Sequence, residues 1–142
     1  MKANELMIED WVMNTHNRKP EQIREILERM VMLDYNDLYN YDEIEPISLT
    51  PEILARMGFT IEEVHKYDDT YTEDEYIATM KCVDSRKCEV EIEYKTYWKK
   101  LRAFNYDPRN RLGFTSIETQ VEYVHELQHI MRICGIEKEI VI

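Results

Sequence analysis

Residues 20–33 read PEQIREILERMVML, and how this stretch is assigned decides the fold of the N-terminal third. Ile23, Ile26, Leu27, Met30 and Val31 stand at i, i+3, i+4, i+7 and i+8. That spacing lines one face of a helix. Pro20 followed by Glu21 suits a helix start. On pattern alone, 21–33 is an amphipathic helix. Upstream, residues 6–13 carry Ile8, Trp11 and Val12 and read as a strand, and 14–20 (NTHNRKP) as a polar turn. Downstream, 34–42 (DYNDLYNYD) is a tyrosine-rich turn region. A short strand follows around Ile44 and Ile47, and Pro46, which has no N–H to donate, restricts it to a sheet edge.

The rest of the chain mixes both periods. Thr50 caps a short helix with Pro51 at its first position, Glu52 in its first turn and Gly58 as its stop. Thr60 with Glu63 has the form of a capping box for a second short helix. Residues 68–75 (DDTYTEDE) form an acidic loop that lacks the glycine and spacing of a calcium-binding EF-hand. From Tyr76 the period changes to two. Tyr76, Ala78 and Met80 alternate, then Val90, Ile92 and Tyr94 alternate against Glu89, Glu91 and Glu93. This predicts a half-buried antiparallel hairpin turned at Asp84–Ser85. An aromatic strand over 97–104 continues the sheet, and 105–113 is a loop. Ile117, Val121, Val124, Leu127, Gln128 and Met131 form one stripe at helical spacing, with Gly135 as a C-terminal stop. The final KEIVI has the composition of one more short strand. The expectation is an α+β chain forming a single compact domain over 1–142. It comprises a β-rich unit at 1–49 and, over 50–142, a helix, an antiparallel sheet and a C-terminal helix packed on that sheet.

The chain has 142 residues, 44% hydrophobic and 33% charged, with a net charge of −11. That balance suits a globular chain with a hydrated surface rather than a disordered one. Its acidity disfavours nucleic acid as a partner, because phosphate backbones are repelled over most of the surface. The charge is uneven. Residues 1–80 are strongly acidic, whereas 81–111 are net basic through Lys95, Lys99, Lys100, Arg102, Arg109 and Arg111, interleaved with Tyr94, Tyr97, Trp98 and Phe104. One reading is an anion or nucleic-acid patch. The plainer one is a solvated hairpin face whose lysines pair with the acids and guard the strands against aggregation. The opening MKANELMIEDWV has no apolar leader core, and no run is long enough to span a membrane, so the expected location is the cytoplasm. Cys82, Cys88 and Cys134 are odd in number and contain no CxxC pair. Cys82 and Cys88 could face each other across the hairpin turn, but reduced thiols are the expectation in that compartment.

HELQH at 125–129 is the sharpest chemical string. On a helix, HExxH sets two histidines one turn apart to ligate zinc, with the glutamate as general base for the metal-bound water. His125, His129 and Glu126 fit letter for letter, but zinc needs a third protein ligand. Arg132 and Gly135 stand where the metzincin continuation needs glycine and histidine. Only 13 residues follow His129, which leaves no room for a later glutamate helix. His65, Asp68 and Asp69 are the upstream candidates. At ~100° per residue, both histidines fall on the flank or outside of the apolar stripe, which predicts two solvent-edge side chains. Cys134 with either histidine imitates a Cys–His dyad, and a buried structural thiol is the plainer account. No GxSxG, P-loop or GxGxxG is present.

Three blocks, NELMIEDWV at 4–12, DEIEPISLTPEILARMGF at 42–59 and YVHELQHIMRICGIEKEIVI at 123–142, resemble a family of uncharacterised proteins of Bacteroides-type bacteria, often carried on prophages and mobile elements. The family pattern is NELRIGNWV, then EPIPLTEEWLLKFGF, then YVHQLQNLYFALTGKEL, and it carries no established activity. The resemblance covers about a third of the chain and has two implications. An HQLQN pattern makes Glu126 and His129 local variations rather than fixed catalytic parts. A small SH3-like β-unit at the N-terminus makes QIREI and MVMLD strands, against the helical spacing of 21–33. MIEDWV departs from RIGNWV by losing the glycine of the first tight turn. The expectation is therefore a non-enzymatic accessory module with no catalytic residue, cofactor or metal, partnered by protein rather than by nucleic acid or membrane. The alternatives are a zinc-dependent hydrolase using HELQH and an acidic inhibitor that imitates nucleic acid.

Overall fold

The computed structural model describes residues 1–64, 75–83, 89–106 and 114–142. They form two compact units: Met1–Ser48 with Tyr123–His129, and Leu49–Glu122 with Ile130–Ile142. Among the described residues the architecture is mostly antiparallel sheet, with ten strands in two sheets and a helix near the C-terminus, in keeping with α+β.

The first unit holds β1 (Trp11–Asn14), β2 (Lys19–Ile26), β3 (Met30–Leu33), β4 (Leu38–Asn40) and β5 (Ile44–Glu45) in the order β4-β3-β2-β1-β5. Residues 21–33 are two strands joined by a turn at 27–29, not a helix. The cause of the helical spacing is a register shift between Ile23 and Glu25 in the β2–β3 ladder. A bulge residue moves the inward phase by one, so Ile23 and Ile26, three apart, both turn to the core. Leu27, which completed the helical pattern, lies exposed beyond the end of β2. Leu6, Val12, Ile23, Val31, Leu33 and Ile44 form the apolar cluster. The first strand is also shorter than its sequence signals: β1 begins only at Trp11, after a turn over 7–10. β5 lies at an edge and ends before Pro46, as the proline dictates.

One buried carboxylate is built into the β1–β2 hairpin. Glu21 is 3% exposed and accepts from the side-chain amides of Asn14 (3.0 Å) and Asn17 (2.7 Å). Such a group is tolerated inside only because both bonds are made.

In the second unit, α1 (Pro51–Arg56) starts as its sequence dictates. Thr50 Oγ1 accepts from the Ile53 amide, Pro51 follows the cap, and Gly58 takes the left-handed φ of +95° after the helix end. A Cβ at Gly58 would run into the side chain of Lys138. Five strands follow as a meander in the order β10-β9-β8-β7-β6: β6 (Thr60–Val64), β7 (Glu75–Val83), β8 (Glu89–Lys95), β9 (Lys100–Tyr106) and β10 (Phe114–Gln120).

Three expectations fail in this unit. Thr60 opens no helix, because the Thr60–Val64 backbone pairs with β7 instead. Ile117 is not on the last helix. It pairs with Ala103 across β10 and β9, and the helix, α2 (Val124–Ile133), begins seven residues later. The terminal 138–142 run is not a strand. The predicted alternation of the hairpin holds: Ala78, Met80, Val90, Ile92, Tyr94, Leu101 and Ala103 are buried. They form cross-strand rows, Met80–Ile92–Ala103 and Ala78–Tyr94–Leu101, the unit of sheet stabilisation. The Asp84–Ser85 turn, Cys88 and its pairing with Cys82, the acidic loop up to Asp74, and Arg109 and Arg111 lie outside the described residues. No described helix is long and apolar enough to cross a membrane.

Candidate functional site

The HELQH residues all lie in the first unit, where the start of α2 meets the turn that precedes β1. That turn is tight. The Asp10 amide donates to Met7 O (3.2 Å), the Asp10 carboxylate accepts from the Met7 amide (2.7 Å), and Glu9 carries a left-handed φ of +71°. On the side facing β2, Glu9 N–H and Asp10 C=O pair with Ile23. On the other side, β5 pairs with β1 only at Met13 and Asn14. Further back along that edge, the Trp11 N–H and the Glu9 C=O need partners from elsewhere.

Gln128 supplies them. Its Oε1 accepts from the Trp11 amide at 2.9 Å, and its Nε2 donates to Glu9 O at 3.0 Å. One carboxamide thus does the work of a peptide group in an adjacent strand. The next residue completes the attachment: His129 Nε2 lies 2.8 Å from Asp10 Oδ2. Asp10 is fully buried, so its carboxylate depends on these partners. Asp10 and His129 are 119 residues apart in sequence.

His125 and His129 are not solvent-edge side chains, which corrects the helical-wheel expectation. His125 is 5% exposed, and the His129 side chain 24%. The wheel placed them correctly relative to the stripe. The turn before β1 covers that flank. His125 stacks nearly parallel on Tyr123 at 5.9 Å and meets His129 edge-on at 5.9 Å. Its buried Nδ1 has no hydrogen-bond partner among the described residues. Burial therefore holds the His125 imidazole below its ordinary value, outweighing the attraction of Asp10 and Glu126, which act the other way. Glu126 is not poised over a metal: its carboxylate accepts from the Tyr123 amide at 3.1 Å and so serves the start of α2. Beside these residues is an open notch of about 400 Å³ lined by Met1, Glu5, Tyr123, His125, Glu126 and His129.

Among the described residues, no three His, Cys, Asp or Glu side chains converge as a metal set. His65, Asp68 and Asp69 lie outside them. Cys134 is buried in the second unit, where burial pushes its thiol up and away from the reactive thiolate.

The basic stretch on the second sheet is met by the sheet's own acids. Glu93, Arg102 and Glu118 stand opposite one another across β8, β9 and β10. Lys100 and Arg102 both pair with Glu118, Lys99 with Glu122, and Lys81 with Glu91. The Lys100 ammonium, first among the neighbours, lowers the Glu118 carboxyl below its usual range. Arg102 also lies over the Phe104 ring, 5.0 Å from its centroid.

Sequence reasoning found His125 and His129 but missed Asp10 and the role of Gln128. A signal for Gln128 existed: a glutamine on an apolar helical stripe is a buried amide, and a buried amide must be bonded to something. Comparison with family models, with characterised proteins and with solved structures finds no significant match.

Proposed function

We propose that this chain is a non-enzymatic accessory module that acts by binding another protein, with an SH3-like first unit and an origin on phage or mobile elements. The observation that carries the reading is the use of the HELQH residues. Gln128 and His129 are spent on the turn before β1, Glu126 on the start of α2, and His125 is buried against Tyr123. A zincin needs its two imidazoles turned to one shared point, about 2 Å from each nitrogen, and a third ligand there. Here His129 Nε2 faces a carboxylate that also belongs to a structural turn.

The strand order β4-β3-β2-β1-β5, a meander whose last strand returns to pair with the first, supports the SH3-like reading. The turn supports the family resemblance in two further ways. Glu9, at a φ of +71°, occupies the place of the glycine in RIGNWV. Asp10 and His129, the bonded pair, occupy the places of the two asparagines in RIGNWV and HQLQN. His125, Leu127 and Gln128, common to HELQH and HQLQN, are all buried. The pairing of Lys81, Lys99, Lys100 and Arg102 with Glu91, Glu118 and Glu122 argues against an acidic nucleic-acid mimic, which needs one continuous unpaired face. Tyr35 in the first unit and Trp98 in the second are large aromatic side chains more than half exposed, the residue types that anchor protein interfaces.

Metal content tests the central claim. Protein purified under zinc-replete conditions is expected to hold well under one equivalent of zinc. A full equivalent that disappears in His129→Ala would replace this reading with the hydrolase.

A further inference from the structure

We propose that Tyr123–His129 is an acid-released latch, in which protonation of His125 detaches the segment from the turn before β1. The geometry has three parts. First, the latch is polar and local: it consists of the Gln128 carboxamide on Glu9 and Trp11, and His129 on Asp10. Second, His125 sits in the same turn of α2, in contact with the His129 ring. Third, among the described residues its buried Nδ1 has no hydrogen-bond partner. A neutral imidazole tolerates this by leaving Nδ1 unprotonated. The imidazolium carries an N–H on both nitrogens, so protonation places a charged donor in a buried site with nothing to receive it.

The groups around His125 come from every element packed on it. Glu126, His129 and Tyr123 share its segment, Asp10 lies in the turn before β1, and Glu5 and the Met1 ammonium line the same notch. Asp10, Glu126 and Glu5 favour the charged ring, and His129 opposes it. Desolvation is larger than any of them. A histidine whose folded value is lowered stabilises the closed form above its ordinary value of 6.5. That contribution fades as the pH falls below it, because the released form takes up the proton more readily. Leaving the buried core also gives His125 water on both nitrogens, so release and protonation reinforce each other.

Hydrogen exchange at the Trp11 amide reads the latch directly, since that N–H donates to Gln128 Oε1. Using the full chain, protection factors are measured from about pH 7.5 down to about pH 5, the range in which histidine titrates. Below 6.5, Trp11 protection is expected to fall by up to about tenfold per pH unit, the slope for one proton taken up on opening. In His125→Phe, which keeps a ring against Tyr123 but cannot titrate, the slope is expected to vanish. In His129→Gln it is expected to persist. Equal slopes in the wild type and His125→Phe, no slope in the wild type, or loss of the slope in His129→Gln alone would each overturn the proposal. If His125→Phe does not fold, the imidazole signal of His125 in the wild type decides. A midpoint below 6.5 that coincides with the loss of Trp11 protection upholds the latch, and a midpoint at or above 6.5 rejects it.

Discussion

Two acid–base pairings in this molecule use similar groups in opposite surroundings. Asp10 and His129 meet where the carboxylate is fully buried, beside a glutamine that bridges two backbone groups. Glu118 meets Lys100 and Arg102 on the outer face of the second sheet, with all three side chains close to half exposed. The first pairing replaces water that the groups have lost. The second competes with water that they still have. The difference teaches where polar side chains hold structure in this chain. The first unit has a small apolar cluster and relies on satisfied buried polar groups, namely Asp10, Asn14, Glu21 and Gln128. The second unit relies on two unbroken apolar rows, and its ion pairs decorate them.

The sharpest way to break this contrast is Gln128→Leu. The leucine keeps the volume and suits the helix, but it removes the side-chain acceptor of the Trp11 N–H and the nearer of two donors to the Glu9 C=O, the other being Gln22 Nε2 at 3.4 Å. Both bonds are part-buried, so water replaces them in part and the cost falls toward the lower end of the roughly 1–3 kcal/mol of a fully buried group left unpaired. The loss should appear in the first unit. The two tryptophans separate the readouts, because Trp11 lies in the first unit and Trp98 in the second. In a Trp98→Phe background, the denaturant midpoint followed by Trp11 fluorescence should fall. An unchanged midpoint would mean that the amide does not carry the attachment.

The same contrast explains what could be read from the sequence. The hairpin of β7 and β8 and its continuation into β9 were legible because alternation ran unbroken, glutamates out and Val90, Ile92 and Tyr94 in. Thr50, Pro51 and Gly58 marked α1 because capping is decided within a few residues. The first unit was not legible by period, since one bulge after Ile23 converted a spacing of two into a spacing of three and imitated a helix. The Thr60–Glu63 capping pattern failed because cross-strand pairing outweighed a local preference. Ile117 and Val121, four apart, looked like one helical stripe although a strand ends between them. At the site, the histidines were visible as a motif. Their burial was not, because the covering turn lies over a hundred residues away in sequence, and no local pattern connects Asp10 with His129.

A smaller effect, of opposite sign, tests the turn itself. Glu9 is held at a φ of +71°, where a side chain with a Cβ is strained by about 1–2 kcal/mol. Glu9→Gly relieves that strain, but gives back about 0.4–1 kcal/mol through the greater freedom of the unfolded chain. The expected outcome is a stabilisation of about 0.5–1 kcal/mol, seen as a higher midpoint in the Trp11 signal. A loss of stability would show that the Glu9 side chain contributes something its backbone angle conceals.

The smallest effect belongs to the exposed pairing. Glu118→Gln removes the charge shared by Lys100 and Arg102 while keeping the shape of the side chain. Pairs as exposed as these contribute little, and salt screens what they contribute. The midpoint followed by Trp98, in a Trp11→Phe background, should therefore barely move at ordinary ionic strength. The shift should vanish in high salt, whereas the cost of Gln128→Leu should survive it, since a lost hydrogen bond between uncharged groups does not depend on counterions. If Glu118→Gln proved as damaging as Gln128→Leu, and equally indifferent to salt, the distinction between the two units would fail. The ladder of Glu93, Arg102 and Glu118 across β8, β9 and β10 would then count as part of what holds the second sheet, rather than as its solvated face.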